Sequence, residues 1–156
     1  MAQIRHIAIA SNHPGKTAEF FERAFGFQEI ARYGLDPLHP DLAPRPSSVI
    51  MTDGHISIAI LKVARDQIGV GLDYRGLHHI GLVVDDLDAW TKHLESLGAP
   101  NITTLADMPA TAHIEIKFRA PDNVVFDLSP LAWPGAAHVD PATTRLPAPR
   151  DTSPNH

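Results

Sequence analysis

The chain has 156 residues, 44% hydrophobic and 20% charged, with 13 basic and 18 acidic side chains. That length supplies one domain, or two small half-domains on a shared core, and the apolar fraction is too high for general disorder. A formal net charge of -5 lacks the basic face that nucleic acid requires, no apolar run reaches the ~20 residues that span a bilayer, and zero cysteines exclude disulfides, thiolate metal sites and cysteine nucleophiles. The N-terminal residues enter a strand-like segment without a signal-peptide core, so the expected address is the cytoplasm.

In chain order, Ile4 to Ala10 alternates as a strand. A turn at Asn12-His13-Pro14-Gly15 leads into an amphipathic helix from about Lys16 to Phe25, stopped by Gly26. Phe27 to Arg32 reads as a strand. The proline-rich stretch from Leu35 to Ser47 reads as an irregular loop, because proline supplies no ladder N–H. Two strands follow, Ser48 to Thr52 and His55 to Leu61, joined by an Asp53-Gly54 hairpin signal. The order then repeats. Leu77 to Val84 is a strand, and Asp85-Asp86 caps a helix from about Leu87 to Leu97, ended by Gly98. Strands are expected at Asn101 to Leu105, His113 to Arg119 and Val124 to Leu128, with a turn at Ala120-Pro121-Asp122-Asn123 before the last. Beyond about His138 the proline-dense tail lacks apolar periodicity. Each half is strand, helix and three strands, which predicts a duplicated βαβββ unit.

Strand alternation sorts the side chains by face. Ile7 and Ile9 share one face in the first strand, as Ile80, Leu82 and Val84 do in its repeat, and these bulky faces should lie under the helices. His6 and His79 fall on the opposite faces beside Ala8 and Gly81, whose small size leaves room for a ligand. Asp127 lies opposite the bulky Val124, Phe126 and Leu128. Two histidines and one carboxylate on non-helical faces form a 2-His-1-carboxylate set, which leaves metal positions open for substrate. In the strand before the last, His113, Glu115 and Lys117 share a face. Glu115 and His113 line the cup if that strand neighbours Asp127; otherwise Glu115 and Lys117 form a solvated face. By alternation His78 points away from His79, which places it behind the ligand row or on the surface. Trp133-Pro134 is expected to seal the sheet end rather than bind substrate, with a lid as the alternative.

The repeated pattern opened by His6 and His79 and closed by Pro121-Asp122-Asn123-Val124-Val125-Phe126-Asp127-Leu128 resembles the vicinal oxygen chelate superfamily. That group includes glyoxalase I, methylmalonyl-CoA epimerase, fosfomycin-resistance proteins, extradiol dioxygenases and bleomycin-binding proteins. The resemblance covers roughly residues 3 to 131. It implies an α+β fold of paired βαβββ modules, about 3–62 and 76–131, forming a cup-shaped mixed sheet with helices on the convex side. The vicinal oxygen chelate domain then spans 1–131, followed by a Pro-rich C-terminal tail at 132–156. It also implies a homodimer. His6, His79 and Asp127 would hold a divalent metal ion, Fe2+ or Mn2+ by preference, with Zn2+ and Ni2+ compatible. Glu115 and His113 are the candidate catalytic pair.

Two departures from the family pattern bear on reaction type. Members usually place Glu in the last strand, where this chain has Asp127. Many carry a fourth ligand near the end of the first half, and counting from the Asp-Gly turn puts Ile58 there. A three-ligand site favours dioxygen chemistry slightly over a glyoxalase-like or epimerase-like lyase or isomerase reaction. Both act on a small molecule presenting two adjacent oxygens, and a metal-free protein that binds a drug-like molecule is the third reading.

Overall fold

A computed structural model of the chain describes residues 1–34, 47–103, 115–131, 133–137 and 146. The first module contains β1 (Gln3–Ala10), α1 (Pro14–Phe25), β2 (Gln28–Tyr33), β3 (Ser47–Thr52) and β4 (Ser57–Lys62). The second contains β5 (Gly76–Val83), α2 (Leu87–Ser96), β6 (Ile116–Arg119) and β7 (Val125–Ser129). Asn101 makes an isolated antiparallel bridge to Phe118, where the weak strand is expected, and Ile102 donates its N–H to the Lys117 carbonyl; residues 104 and 105 of that segment and His113 lie outside the described residues. So do the proline loop at 35–46 and the tail from 138, apart from Leu146.

Local chemistry sets the helix ends. Pro14 occupies the first turn of α1, where its missing N–H costs nothing, and Gly26 closes the helix at φ 74° with its N–H on the Glu22 carbonyl. Asp86 caps α2 by accepting the Ala89 N–H, while Asp85 accepts the indole N–H of Trp90 at 3.0 Å. The β6–β7 turn holds Asp122 and Asn123 at φ 57° and 61°, a left-handed pair suited to a tight hairpin.

The seven strands form one mixed sheet in the order β2-β3-β4-β1-β5-β7-β6. β1 and β5 run antiparallel at its centre, with Ile7 opposite Ile80, while β4 and β7 lie parallel to β1 and β5 respectively. A pseudo-twofold therefore passes between Ile7 and Ile80. Each helix covers the same side of its own module. Ala18 of α1 packs on Val49, Met51, Ile58 and Ile60, and Trp90 of α2 packs on Val84, Phe118 and Leu128. Full burial of side chains such as Phe118 and Leu128 stabilises by roughly 1.5–3 kcal/mol each. The expected architecture of paired modules with helices on the convex side is what the chain adopts.

The register is not perfectly regular. Between Ile4 and His6 the β1–β5 ladder skips a residue on β1, and between the Ala8–His79 and Ile9–Leu77 pairs it skips one on β5. The extra residues are Arg5 and His78, at equivalent places in the two repeats. A β-bulge lets two successive side chains turn to one face. Arg5 and His6 are accordingly both buried, and so are His78 and His79. Alternation fails for His78 because of this bulge: its ring faces the same cup as His79.

Candidate metal centre

Three adjacent strands carry the site. His6 on β1 pairs with Gly81 on β5, and Gly81 pairs with Asp127 on β7, so the three residues form one row across the sheet. His6 reaches the carboxylate only by leaning over Gly81. A Cβ at Gly81 would overlap Cε1 and Nδ1 of the His6 imidazole. The small residue thus makes room for a protein side chain, not for a ligand. His79, already next to β7, needs no such gap.

The three groups meet at one point. His6 Nε2 lies 3.2 Å from His79 Nε2, and Oδ2 of Asp127 stands 3.1 Å from His79 Nε2 and 3.9 Å from His6 Nε2. Ligands held about 2.1 Å from one ion are separated by roughly 3.0–3.4 Å at octahedral or tetrahedral angles. Two of the three separations match that range and the His6–Asp127 one, at 3.9 Å, is wider; the donor set of two imidazoles and a carboxylate, with one atom of each inside a 4.8 Å group, is one that could hold a divalent metal. Behind His79, the Nδ1 atoms of His78 and His79 are 2.7 Å apart. A proton on Nδ1 of His79, with His78 accepting, would leave the His79 Nε2 lone pair facing the point of convergence, as a bound metal requires; in the metal-free protein Nε2 instead donates to Asp127 Oδ2.

Asp127 is fully buried within a network of cations. Its Oδ1 accepts from Arg5 Nη2 at 3.1 Å and its Oδ2 from Lys117 Nζ at 3.3 Å. Burial opposes ionisation of this carboxyl, but the hydrogen bond from His79 and the ammonium of Lys117 outweigh it and hold it well below the usual carboxylate range. Arg5, 1% exposed, also donates to Glu115 Oε1 at 2.8 Å, and Lys117, 6% exposed, stands 3.7 Å from Glu115 Oε2. Lys117 sits directly opposite Asp127 in the β6–β7 ladder, which aims its ammonium inward. The Glu115–Lys117 pair is therefore not a solvated face. Two cations balance two carboxylates.

Burial pushes the His6 imidazole down to about 3 and the His78 imidazole down to about 4. Both groups bind protons more readily unfolded than folded, near 6.5 against the depressed folded values. Their contribution is fully present above about pH 6.5 and is lost as pH falls; Asp127 adds to the loss below its ordinary range. Metal-free protein should therefore unfold at lower urea concentration at pH 5 than at pH 7.5. A flat or rising midpoint on acidification would contradict the buried, neutral imidazoles.

Of the sequence-predicted residues, His6, His79 and Asp127 converge and Glu115 lies at their edge through Arg5, whereas His113 is outside the described residues. Arg5 and Lys117 escaped sequence reasoning as members of this cluster, and His78, expected behind the ligands or on the surface, stands behind His79 but on the cup side that alternation denied it. The repeat held one signal for two of them, since Arg5-His6 and His78-His79 occupy equivalent dipeptides. The fourth-ligand position also moves by one. Ala8 pairs with Ala59 as Gly81 pairs with Asp127, so Ala59, not Ile58, matches Asp127. Ile58 points under α1 instead. Trp133 does not seal the sheet end: its ring stacks on His6 at 4.3 Å, lies under the Arg5 guanidinium at 4.6 Å, and packs on Ala8, Ile50 and Ala59. Gly135 and Pro134 carbonyls accept from Thr52 and Ser57, pinning this segment in the first module's cup. The room beside Ala8 is thereby filled by Trp133.

A duplicated sheet with helices on one side and two imidazoles and a carboxylate gathered on the other defines a cup-type protein with a candidate metal site. The chain belongs to the Glyoxalase/Bleomycin resistance protein/Dioxygenase superfamily, whose family model matches residues 3–128. No curated protein matches it. Similar solved structures include a Streptomyces coelicolor methylmalonyl-CoA epimerase in complex with 2-nitronate-propionyl-CoA, at 19% identity and TM-score 0.59, covering 81% of this chain and 94% of that one. A Mycobacterium tuberculosis methylmalonyl-CoA epimerase aligns at 17% identity and TM-score 0.59 over 81% of this chain and 85% of its own. A hypothetical protein from Bacillus halodurans C-125 aligns at 14% identity and TM-score 0.61 over 82% and 93%. At these identities the likeness establishes a shared fold. Among the described residues no helix is long and apolar enough to cross a membrane.

Proposed function

We propose that the chain is a divalent-metal-dependent enzyme acting on a small molecule with two adjacent oxygens, with His6, His79 and Asp127 as the metal ligands. The observation that carries this reading is the meeting of Nε2, Nε2 and Oδ2 at one buried point. A divalent ion bound there supplies Lewis-acid stabilisation of charge developing on substrate oxygens. The donor set suits Fe2+ or Mn2+ best, with Zn2+ and Ni2+ compatible. Asp127 stays ionised beside Lys117, with Arg5 donating to its other oxygen, and His78 orients His79. Glu115 is the part-exposed carboxylate at the edge of the cluster, and we assign it the proton transfer, held in place by Arg5. His113 is retained as its partner.

The reaction class we favour is proton transfer of the isomerase or lyase kind. The carboxylate beside the cluster supports it, as does the epimerase identity of similar folds. Dioxygen chemistry, which the ligand count favours, keeps one observation behind it: Ala59 offers no fourth donor, so an octahedral ion has up to three open positions. We further read the protein as a cytoplasmic homodimer, a second copy covering the exposed Phe20, Phe25 and Tyr33. Sedimentation velocity checks that assembly.

Elemental analysis of purified, metal-loaded protein tests the centre. About one divalent ion per chain in the wild type and none in His79→Ala is expected. Equal content in both proteins, or none in either, would remove the metal reading. With iron-loaded protein and a catechol panel, no oxygen uptake is the expected result; uptake that disappears in His6→Ala would instead establish the dioxygenase.

A further inference from the structure

The two imidazoles of the centre are not held alike. A ligating histidine is ordinarily fixed by a hydrogen bond to its second ring nitrogen, which sets the ring plane and the tautomer. His79 has such a partner in His78, with 2.7 Å between the Nδ1 atoms. His6 is 1% exposed, and its Nδ1 has no hydrogen-bond partner among the described residues. Arg5 beside it shows the same gap: Nη2 makes the contacts to Glu115 and Asp127, while Nε has no partner. One indole touches both groups. The Trp133 ring lies 4.3 Å from the His6 imidazole with 25° between the planes, and the Arg5 guanidinium carbon stands 4.6 Å from the indole centroid. The segment that carries Trp133 is itself fixed. The Pro134 and Gly135 carbonyls accept from Ser57 and Thr52, and the Ala137 N–H donates to the His55 carbonyl at 2.8 Å. Gly135, at φ 79°, fits so closely that a Cβ there would stand 2.8 Å from Ile30 Cγ1. The indole rests on Ala8, Ile50 and Ala59. Ala8 pairs with Ala59 and Ala59 with Ile50, as Gly81 pairs with Asp127 and Asp127 with Lys117. The row that is charged in the second module is therefore apolar in the first, and it seats this ring.

We propose that Trp133 is the positioning residue of the centre. Its indole takes the place of the missing hydrogen-bond partner: it fixes the plane of the His6 ring, so that Nε2 faces the point of convergence, and it fixes the Arg5 guanidinium that holds Asp127 and Glu115. The inference rests on the reading of His6 as a metal ligand and adds to that site a residue from outside the duplicated modules. A face contact restricts the tilt of a planar group without using any of its hydrogen-bonding atoms. The attraction between a guanidinium and an indole face is electrostatic, and it strengthens where water is excluded, as it is around the buried Arg5.

The test compares the full chain with Trp133→Phe, Trp133→Leu and Ile50→Ala. Phenylalanine keeps a ring over His6 and Arg5, and leucine gives apolar volume without one. Ile50→Ala opens a hole in the cluster under the indole and leaves the stack in place. Titration calorimetry with Mn2+ should put Trp133→Phe within about threefold of the wild type and Trp133→Leu weaker by about tenfold or more. Ile50→Ala should bind Mn2+ like the wild type despite a lower urea midpoint. In metal-free protein the rings of His6 and His79, whose centroids are 5.2 Å apart, should give a nuclear Overhauser contact in the wild type and Trp133→Phe that Trp133→Leu loses. If Trp133→Leu does not fold, Trp133→Met, with a flexible chain for the same space, takes its place. Wild-type affinity with the contact intact in the ringless variant would overturn the role. So would an equal loss of affinity in Ile50→Ala, which would make the effect one of packing alone. Because the contact needs no metal, a wild type that binds no Mn2+ removes the metal reading and leaves the positioning of His6 to be decided by the contact.

Discussion

Asp127→Asn is expected to destabilise the protein by about 3–5 kcal/mol, the cost of removing one partner from a buried ion network. The amide keeps the shape of the carboxylate but leaves the nearly buried Arg5 and Lys117 short of a counter-charge. A domain of this size holds about 5–15 kcal/mol in total, so the loss is a large share of it, and the melting temperature should fall by roughly 10–15 °C. Lys117→Met added to Asp127→Asn should return part of the loss, because the double variant carries one buried cation fewer. Urea denaturation of the four proteins in the cycle measures the coupling. A loss below 1 kcal/mol in Asp127→Asn would mean that water screens the network. Metal content should vanish in both Asp127 variants, since one of three donors has lost its charge.

Gly81→Ala should disable the site without touching any proposed ligand. The new Cβ would meet the His6 ring, so the imidazole must leave its place over β5 or the strands must part. Overpacking of this kind costs about 1–3 kcal/mol. Metal affinity should drop at least tenfold to a hundredfold, as when a ligand loses its orientation. The matching change in the first repeat, Ala8→Gly, is the control. It removes a Cβ from a cluster under Trp133 and should cost stability while leaving metal affinity near the wild-type value. Titration calorimetry with Mn2+ on both variants reads the difference. Equal affinity in Gly81→Ala and wild type would show that His6 has another way to the site, or no part in it.

Much of this arrangement is written locally. Glycine stops, aspartate caps and the Asp53-Gly54 turn mark element ends by backbone geometry that each residue carries itself. The doubled order of elements states the pseudo-symmetry, and alternation alone assigns His6, His79 and Asp127 to the helix-free side. Those features survive in one dimension because strand period and capping depend on near neighbours.

Other features depend on which strand lies beside which. Arg5 and His78 turn inward only because the β1–β5 ladder bulges at both, a property of the pairing and of neither strand by itself. Register has the same character: a shift of one residue exchanges the two faces, and the β1–β4 ladder therefore puts Ala59, not Ile58, in the place matching Asp127. Lys117 joins the site through its position across from Asp127, and Trp133 joins it from beyond the last strand by filling space left by Ala8 and Ala59. By itself, the sequence determined the modules, the helix-bearing side and the three converging side chains. The tertiary structure decided the charge around them and what fills the cup, because long-range packing and electrostatics act between residues that no local period connects.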